Sequence, residues 1–181
     1  MILSVKDALS DFGKRYVTAF QQKHECDPAD RELTDWPSEC VIERNQDAVL
    51  WRPVERQELV DLSNIEHAMD LGIHSDIHEF FGSFYSGDMT AEYEGEELSL
   101  IQVWNDDDFK RLQENIIGHL VTQKRLRLKP TIFIAGIDSE DHVISVCNLT
   151  GKVVKERLGT NQRQVLAGSL VEFIEKLEPV V

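Results

Sequence analysis

Two spacings of hydrophobic residues follow one another along the chain, and their order predicts its elements. Val5, Leu9, Phe12, Tyr16, Val17 and Phe20 recur at helical spacing behind the capping sequence Ser4-Val5-Lys6-Asp7, which predicts a first helix to about Lys23. Pro28, Pro37 and Pro53 break the stretch 25–53, leaving Val41–Ile42 and Val49–Trp51 as short strand candidates in irregular, partly extended chain. Ser63-Asn64-Ile65-Glu66 reads as a second capping box, opening a helix with Ile65, Ala68 and Met69 inward. Gly72 separates it from a short helix around 76–84.

The spacing then shortens to that of a strand. Met89, Ala91 and Tyr93 alternate with Asp88, Thr90, Glu92 and Glu94, and Gly95 turns the chain into Leu98–Trp104, completing a hairpin. Asn105 caps a long helix carrying Phe109, Leu112, Ile116, Leu120 and Val121, with Pro130 beyond its end. Thr131–Ile137 and Val143–Leu149 read as buried strands, Thr150-Gly151-Lys152 as a turn into a third, and Leu166–Leu177 as a closing helix. This order predicts an α+β fold whose largely antiparallel sheet packs with helices, and 181 residues of 41% hydrophobic composition suit a single domain over 1–181.

Charge changes the picture. From Gln57 to Phe109 there is no lysine or arginine, against fourteen aspartates and glutamates, where average composition would place five or six basic residues. The net charge of −14 is unevenly divided: residues 1–108 hold 25 acidic and 8 basic side chains, residues 109–181 hold 8 and 11. Such a field repels itself in the compact state and attracts cationic partners, so it points to binding before catalysis. Alternation places Asp88, Glu92 and Glu94 on one side of the predicted strand, with carboxylates two positions apart separated by about 7 Å. Each such pair costs about 0.6 kcal/mol in bulk water. Glu96 and Glu97 carry the cluster through the turn. The bland reading is a solvated edge that discourages strand pairing with other chains; the functional one is a binding face.

Asp106, Asp107 and Asp108 sit at a helix start whose far end carries Lys124, Arg125 and Arg127, an arrangement that suits the helix macrodipole. Three aspartates exceed what one cap needs, so all three stand as binding candidates beside the hairpin. Trp104 precedes them and is a candidate aromatic anchor. His74 and His78, four apart and near Asp70, have a spacing that can seat zinc, yet lack the glutamate of a His-Glu-x-x-His site; no metal and no cofactor is expected. Cys26, Cys40 and Cys147 are odd in number and widely spaced, which fits a reducing compartment better than a disulfide framework. Nucleophile elbows, phosphate loops and dinucleotide fingerprints are missing, and the basic residues are too few for nucleic acid. The expectation is a non-enzymatic binding protein without an export signal or membrane span.

Several segments resemble the Syd family of SecY-interacting proteins. They are the stretch from Gln102 to Leu126 and on to Phe133-Ile134-Ala135, Pro37-Ser38 with Cys40, Asp47-Ala48-Val49 with Trp51, Gly87-Asp88-Met89, and Val143–Leu149 followed by Leu158-Gly159-Thr160. The resemblance spans the chain nearly end to end. It implies a SUKH-type α+β fold and a cytoplasmic protein, peripheral on the inner membrane, that binds SecY and sequesters or disassembles unassembled or faulty SecY complexes. Cytoplasmic loops of membrane proteins carry excess Lys and Arg, so an acidic docking face complements them. Membrane attachment is then expected through the partner only, because a net charge of −14 gains nothing from anionic headgroups. One rival is an immunity-type inhibitor that plugs a basic toxin; another is a hydrolase using paired carboxylates.

Overall fold

The computed structural model describes residues 3–58 and 60–181. Helix α1 spans Val5–His24, with Ser4 Oγ accepting the Asp7 N–H and a left-handed Glu25 closing the far end onto Gln21 O. Val5, Leu9, Phe12 and Tyr16 are buried along it, as their spacing requires. The proline-broken stretch is more ordered than expected. Strands β1 (Ala29–Asp30), β2 (Val41–Arg44) and β3 (Val49–Trp51) form a small antiparallel sheet in the order β1-β3-β2. A second ribbon pairs β4 (Val54–Glu55) with β5 (Phe84–Tyr85). Trp51 packs against Tyr16 at 6.2 Å and edge-on against Trp104 at 6.1 Å, tying the small sheet to the core.

Helix α2 covers Ser63–Met69 and α3 covers Ser75–Gly82. The second capping box is not used. Ser63 lies inside the first turn, the cap position falls on Leu62, and the Glu66 carboxylate accepts the Ile73 N–H instead. Ile65 is buried as expected, whereas Ala68 is exposed, because α2 ends after two turns at a left-handed Asp70 and shows only a narrow stripe to the core.

The main sheet begins at β6 (Met89–Tyr93) and β7 (Glu96–Leu100), and α4 (Asp106–Arg125) then leads to β8 (Thr131–Ile137), β9 (His142–Cys147), β10 (Val153–Arg157) and β11 (Arg163–Ala167). Helix α5 (Leu170–Glu175) and β12 (Glu178–Pro179) complete it. The order is β11-β10-β9-β8-β7-β6-β12, antiparallel throughout. This is the expected α+β class. The second hairpin strand begins at Glu96 and ends at Leu100, not Leu98–Trp104. A two-residue Glu94-Gly95 turn with φ of 48° and 86° sets Tyr93 directly opposite Glu96. The closing helix was predicted to begin at Leu166, but Leu166 and Ala167 end β11 on the ladder of β10, and the helix waits for its Ser169 cap.

Five strand spacings separate β6 from β11, roughly 24 Å in a flat sheet. Yet the Tyr93 hydroxyl donates to Leu166 O on β11 at 2.7 Å, and Lys155 on β10 reaches Glu96 on β7 at 2.8 Å. The sheet must therefore curl, helped by a bulge in β8 between Phe133 and Ala135. Phe173 of α5 sits in the hollow of the curl, 4.7 Å from Tyr93. One continuous apolar cluster runs from α1 to α5 and includes Leu100, with no exposed surface. The three cysteines are free. Cys40 and Cys147 are buried and Cys26 half-buried, and burial pushes the Cys40 thiol up to about 11.

Candidate functional site

The start of α4 is fixed by a set of local bonds. Asn105 Oδ1 accepts the Asp108 N–H at 2.8 Å, and Asp108 Oδ2 accepts the Trp104 N–H at 2.8 Å, so Asp108 serves the helix start itself. The chain 36–38 is stitched to this point from the other side. Ser38 Oγ donates to Trp104 O (2.6 Å), Asn105 Nδ2 to Pro37 O (2.7 Å), and Trp104 Nε1 to Trp36 O (3.1 Å). The result is a groove of about 460 Å³ between residues 37–39, Tyr85 and the first turn of α4. A second hollow of about 550 Å³ shares Glu39, Tyr85 and Asp106 with it and extends past Arg56 and Glu58 to Phe109.

Four exposed carboxylates line the joined groove: Glu39, Glu58, Asp106 and Asp107. One cation lies beneath them. Arg56 is buried, its guanidinium over the rings of Tyr85 at 4.3 Å and Phe109 at 5.1 Å, with Nη2 3.5 Å from Asp106 Oδ1. The Tyr85 hydroxyl also donates to Asp106 Oδ1. Burial, and then that bond to an anion, hold the phenol above its ordinary pKa. The groove is thus concave and acidic, with an aromatic floor of Trp104 and Tyr85 and a backbone held at both rims.

The remaining candidates separate. Glu92 lies opposite Glu97 on β7 and opposite Glu178 on β12, which makes a row of exposed like charges on the open sheet face. Glu96 is not part of that row, because it points to the other face and is neutralised by Lys155. Glu94 stands at the turn tip rather than on the strand, so the predicted single side of Asp88, Glu92 and Glu94 does not form. Asp88 precedes β6, and its Oδ1 accepts the Gln102 N–H at 2.9 Å. Its pKa is pushed up to about 6, first by desolvation, with Asp108 and Asp30 adding repulsion. Water still reaches the residue, so protein packed on its other sides, not full enclosure, carries that shift. Trp104 is buried, and its ring belongs to the floor rather than projecting as an anchor.

The histidine pair is divided between two structural tasks. His74 Nδ1 caps α3 through the Asp76 N–H, and His78 Nδ1 accepts the Leu62 N–H. Among the described residues one Ser/His/Asp convergence occurs, at the β8–β9 turn, but Ser139 Oγ and Asp141 Oδ1 both meet the same nitrogen, Nδ1 of His142. A relay needs the two partners on different ring nitrogens. Glu39, Glu58 and Tyr85 escaped the sequence reading, because only the tertiary stitching brings them to α4. The one available signal was Pro37-Ser38, which lies next to Glu39.

Comparison with known proteins adds a family. Residues 6–179 match the family model described as Syd protein (SUKH-2). Among curated relatives, Protein Syd of Aliivibrio salmonicida is 49% identical over 181 residues, covering all of both chains. Protein Syd of Citrobacter koseri is 48% identical over 174 residues, 96% of each chain, and that of Cronobacter sakazakii is 49% identical over 177 residues, 98% of each.

Proposed function

The chain belongs to the Syd family, and from that membership and its acidic groove we propose that it is a non-enzymatic protein that binds cationic cytoplasmic loops of the SecY channel. It acts on unassembled or faulty SecY complexes as a regulator or quality-control factor, from the cytoplasmic side of the inner membrane. The supporting observation is the joined groove, where Glu39, Glu58, Asp106 and Asp107 face an aromatic floor fixed by hydrogen bonds. A lysine or arginine entering it meets carboxylates from several sides, each worth about 4 kcal/mol of Coulomb attraction at 4 Å and an effective dielectric near 20, before desolvation is subtracted. The alkyl stem of such a side chain can lie along Tyr85 and Trp104. The lysine-free window around the groove steers the encounter. No helix among the described residues is long and apolar enough to cross a membrane.

The test is capture of SecY from detergent-solubilised inner membrane by the immobilised chain. Capture should weaken clearly as salt rises from about 0.05 to 0.5 M, since the Debye length falls from over 10 Å to about 4 Å. Asp106→Lys with Asp107→Lys should abolish it. The melting temperature should fall as well, because Asp106 faces buried Arg56 and the Tyr85 hydroxyl and both aspartates sit at a helix N-terminus, so capture is read at a temperature where the variant is still folded. Equal capture by the parent and the double variant would sink the groove; no SecY on the parent would sink the partner.

A further inference from the structure

Helix α4 carries opposite chemistry at its two ends. Its 20 residues place those ends about 30 Å apart, several Debye lengths at physiological ionic strength, so the groove's charge does not cancel what lies at the far end. There Lys124, Arg125, Arg127 and Lys129 are all exposed, and none of them forms a salt bridge among the described residues. No aspartate or glutamate occurs between Glu114 and Asp138.

Apolar surface adjoins these cations. Leu126 is 48% exposed and Leu158, on the β10–β11 turn, is 43% exposed. A Cβ added at Gly159 would lie 3.9 Å from Leu126 Cδ1, so the two leucines occupy touching turns. On the other side, Lys124 stands at a hollow of about 240 Å³ lined by Met69, Leu71, Leu120 and Leu128, with Asp70 on its rim. Asp141, beside the Leu158 turn, is already engaged by Arg157 at 3.2 Å and His142 at 2.8 Å.

A nucleic acid would use the cations but leave the leucines in water, and it favours aromatic platforms that this patch lacks. An anionic bilayer uses both, with headgroup phosphates on the cations, leucines at the interface and the hollow open to an apolar lipid segment. We propose that the C-terminal end of α4 is a second docking surface, and that its occupant is the face of an anionic lipid bilayer. This goes beyond SecY binding, in which the membrane is reached only through the partner, and it stands independently of the groove. The chain's net charge does not oppose it at contact, because the acidic groove lies beyond the range of its screened field.

The experiment is co-sedimentation of the full chain with vesicles of phosphatidylcholine alone or with added phosphatidylglycerol. The chain should pellet only with the phosphatidylglycerol vesicles, and less as salt rises. Arg125→Ala, Arg127→Ala and Lys129→Ala combined should weaken that binding on the order of a hundredfold. Leu126→Ser should weaken it several-fold, and all variants should keep the parent's melting temperature because the changed side chains are exposed. Asp106→Lys with Asp107→Lys should leave vesicle binding intact while removing SecY capture, which separates a failure here from a failure of the groove. Equal pelleting with neutral vesicles, none at low salt, or an unaffected triple variant would overturn the proposal. So would tight binding of polyuridylate RNA that needs the same cations and ignores Leu126→Ser.

Discussion

Two parts of the molecule are equally acidic in sequence and differ in what they can hold. On the hairpin, Glu92, Glu97 and Glu178 form a row on an open sheet face, and the nearby Glu96 is neutralised by Lys155. At the start of α4, Glu39, Glu58, Asp106 and Asp107 come from three separate segments and converge on a concavity with fixed walls. A cation over the flat row meets nearly bulk water, where a pair at 4 Å gains about 1 kcal/mol; in the groove the same pair gains several times that. An acidic window creates a field, but a concave wall and a desolvated floor are needed to make a site.

The floor is therefore where the comparison breaks most severely. Trp104→Ala removes a buried ring that packs on Trp51 and whose Nε1 holds Trp36 O, so we expect a loss of about 3–5 kcal/mol in denaturant unfolding. At low temperature, where the variant is still folded, SecY capture should also fall, since the ring forms the floor of the groove and its Nε1 ties Trp36 O to one rim. A folded Trp104→Ala protein that captures SecY like the parent would reduce the groove to one more acidic surface.

The hairpin offers the opposite contrast. Glu92→Lys with Glu97→Lys puts two like charges opposite each other again, but now facing Glu178, so melting should shift by no more than a few degrees in either direction. SecY capture should fall less than about tenfold, through weakened steering alone. If this pair abolishes capture while Asp106→Lys with Asp107→Lys spares it, the roles of the two regions are exchanged.

The asymmetry between fold and site has a physical origin. Period and caps are local, so Ser4, Asn105 and the Val5–Tyr16 stripe announced α1 and α4 almost to the residue. Turn geometry was half legible: Gly95 marked the hairpin, but the left-handed Glu94 that shortens β6 has no side-chain signature. Strand β11 was hidden because Val165 and Leu166 also suit a helix, and pairing with β10 decides between them. Alternation correctly placed Glu92 on the open face but could not foresee Lys155 reaching Glu96, a consequence of sheet curl. The groove was the least legible, because bonds across more than sixty residues of sequence, Ser38 to Trp104 and Asn105 to Pro37, create it.

Asp88 gives the smallest effect and tests the border between the two regions. Its folded pKa of about 6 lies above the ordinary carboxylate value, so its ionised form is disfavoured by folding. The stability it permits is complete below about pH 4, where folded and unfolded chains are both protonated, and is lost as pH rises through 6. Asp88→Asn stays neutral and keeps an oxygen for the Gln102 N–H. It should therefore stabilise the protein at pH 7–8 by about 1 kcal/mol, a figure discounted because water reaches the residue. The gain should shrink between pH 6 and 4 and vanish below. Melting the two proteins in parallel across that range reads it directly, and a constant offset at every pH would show that relief of the ionised carboxylate's desolvation, and of its repulsion by Asp108 and Asp30, is not its source. If the gain does follow Asp88's titration, the carboxylate is a charge the fold tolerates on the way from hairpin to groove, and its retention then calls for a role in the acidic field and not in folding.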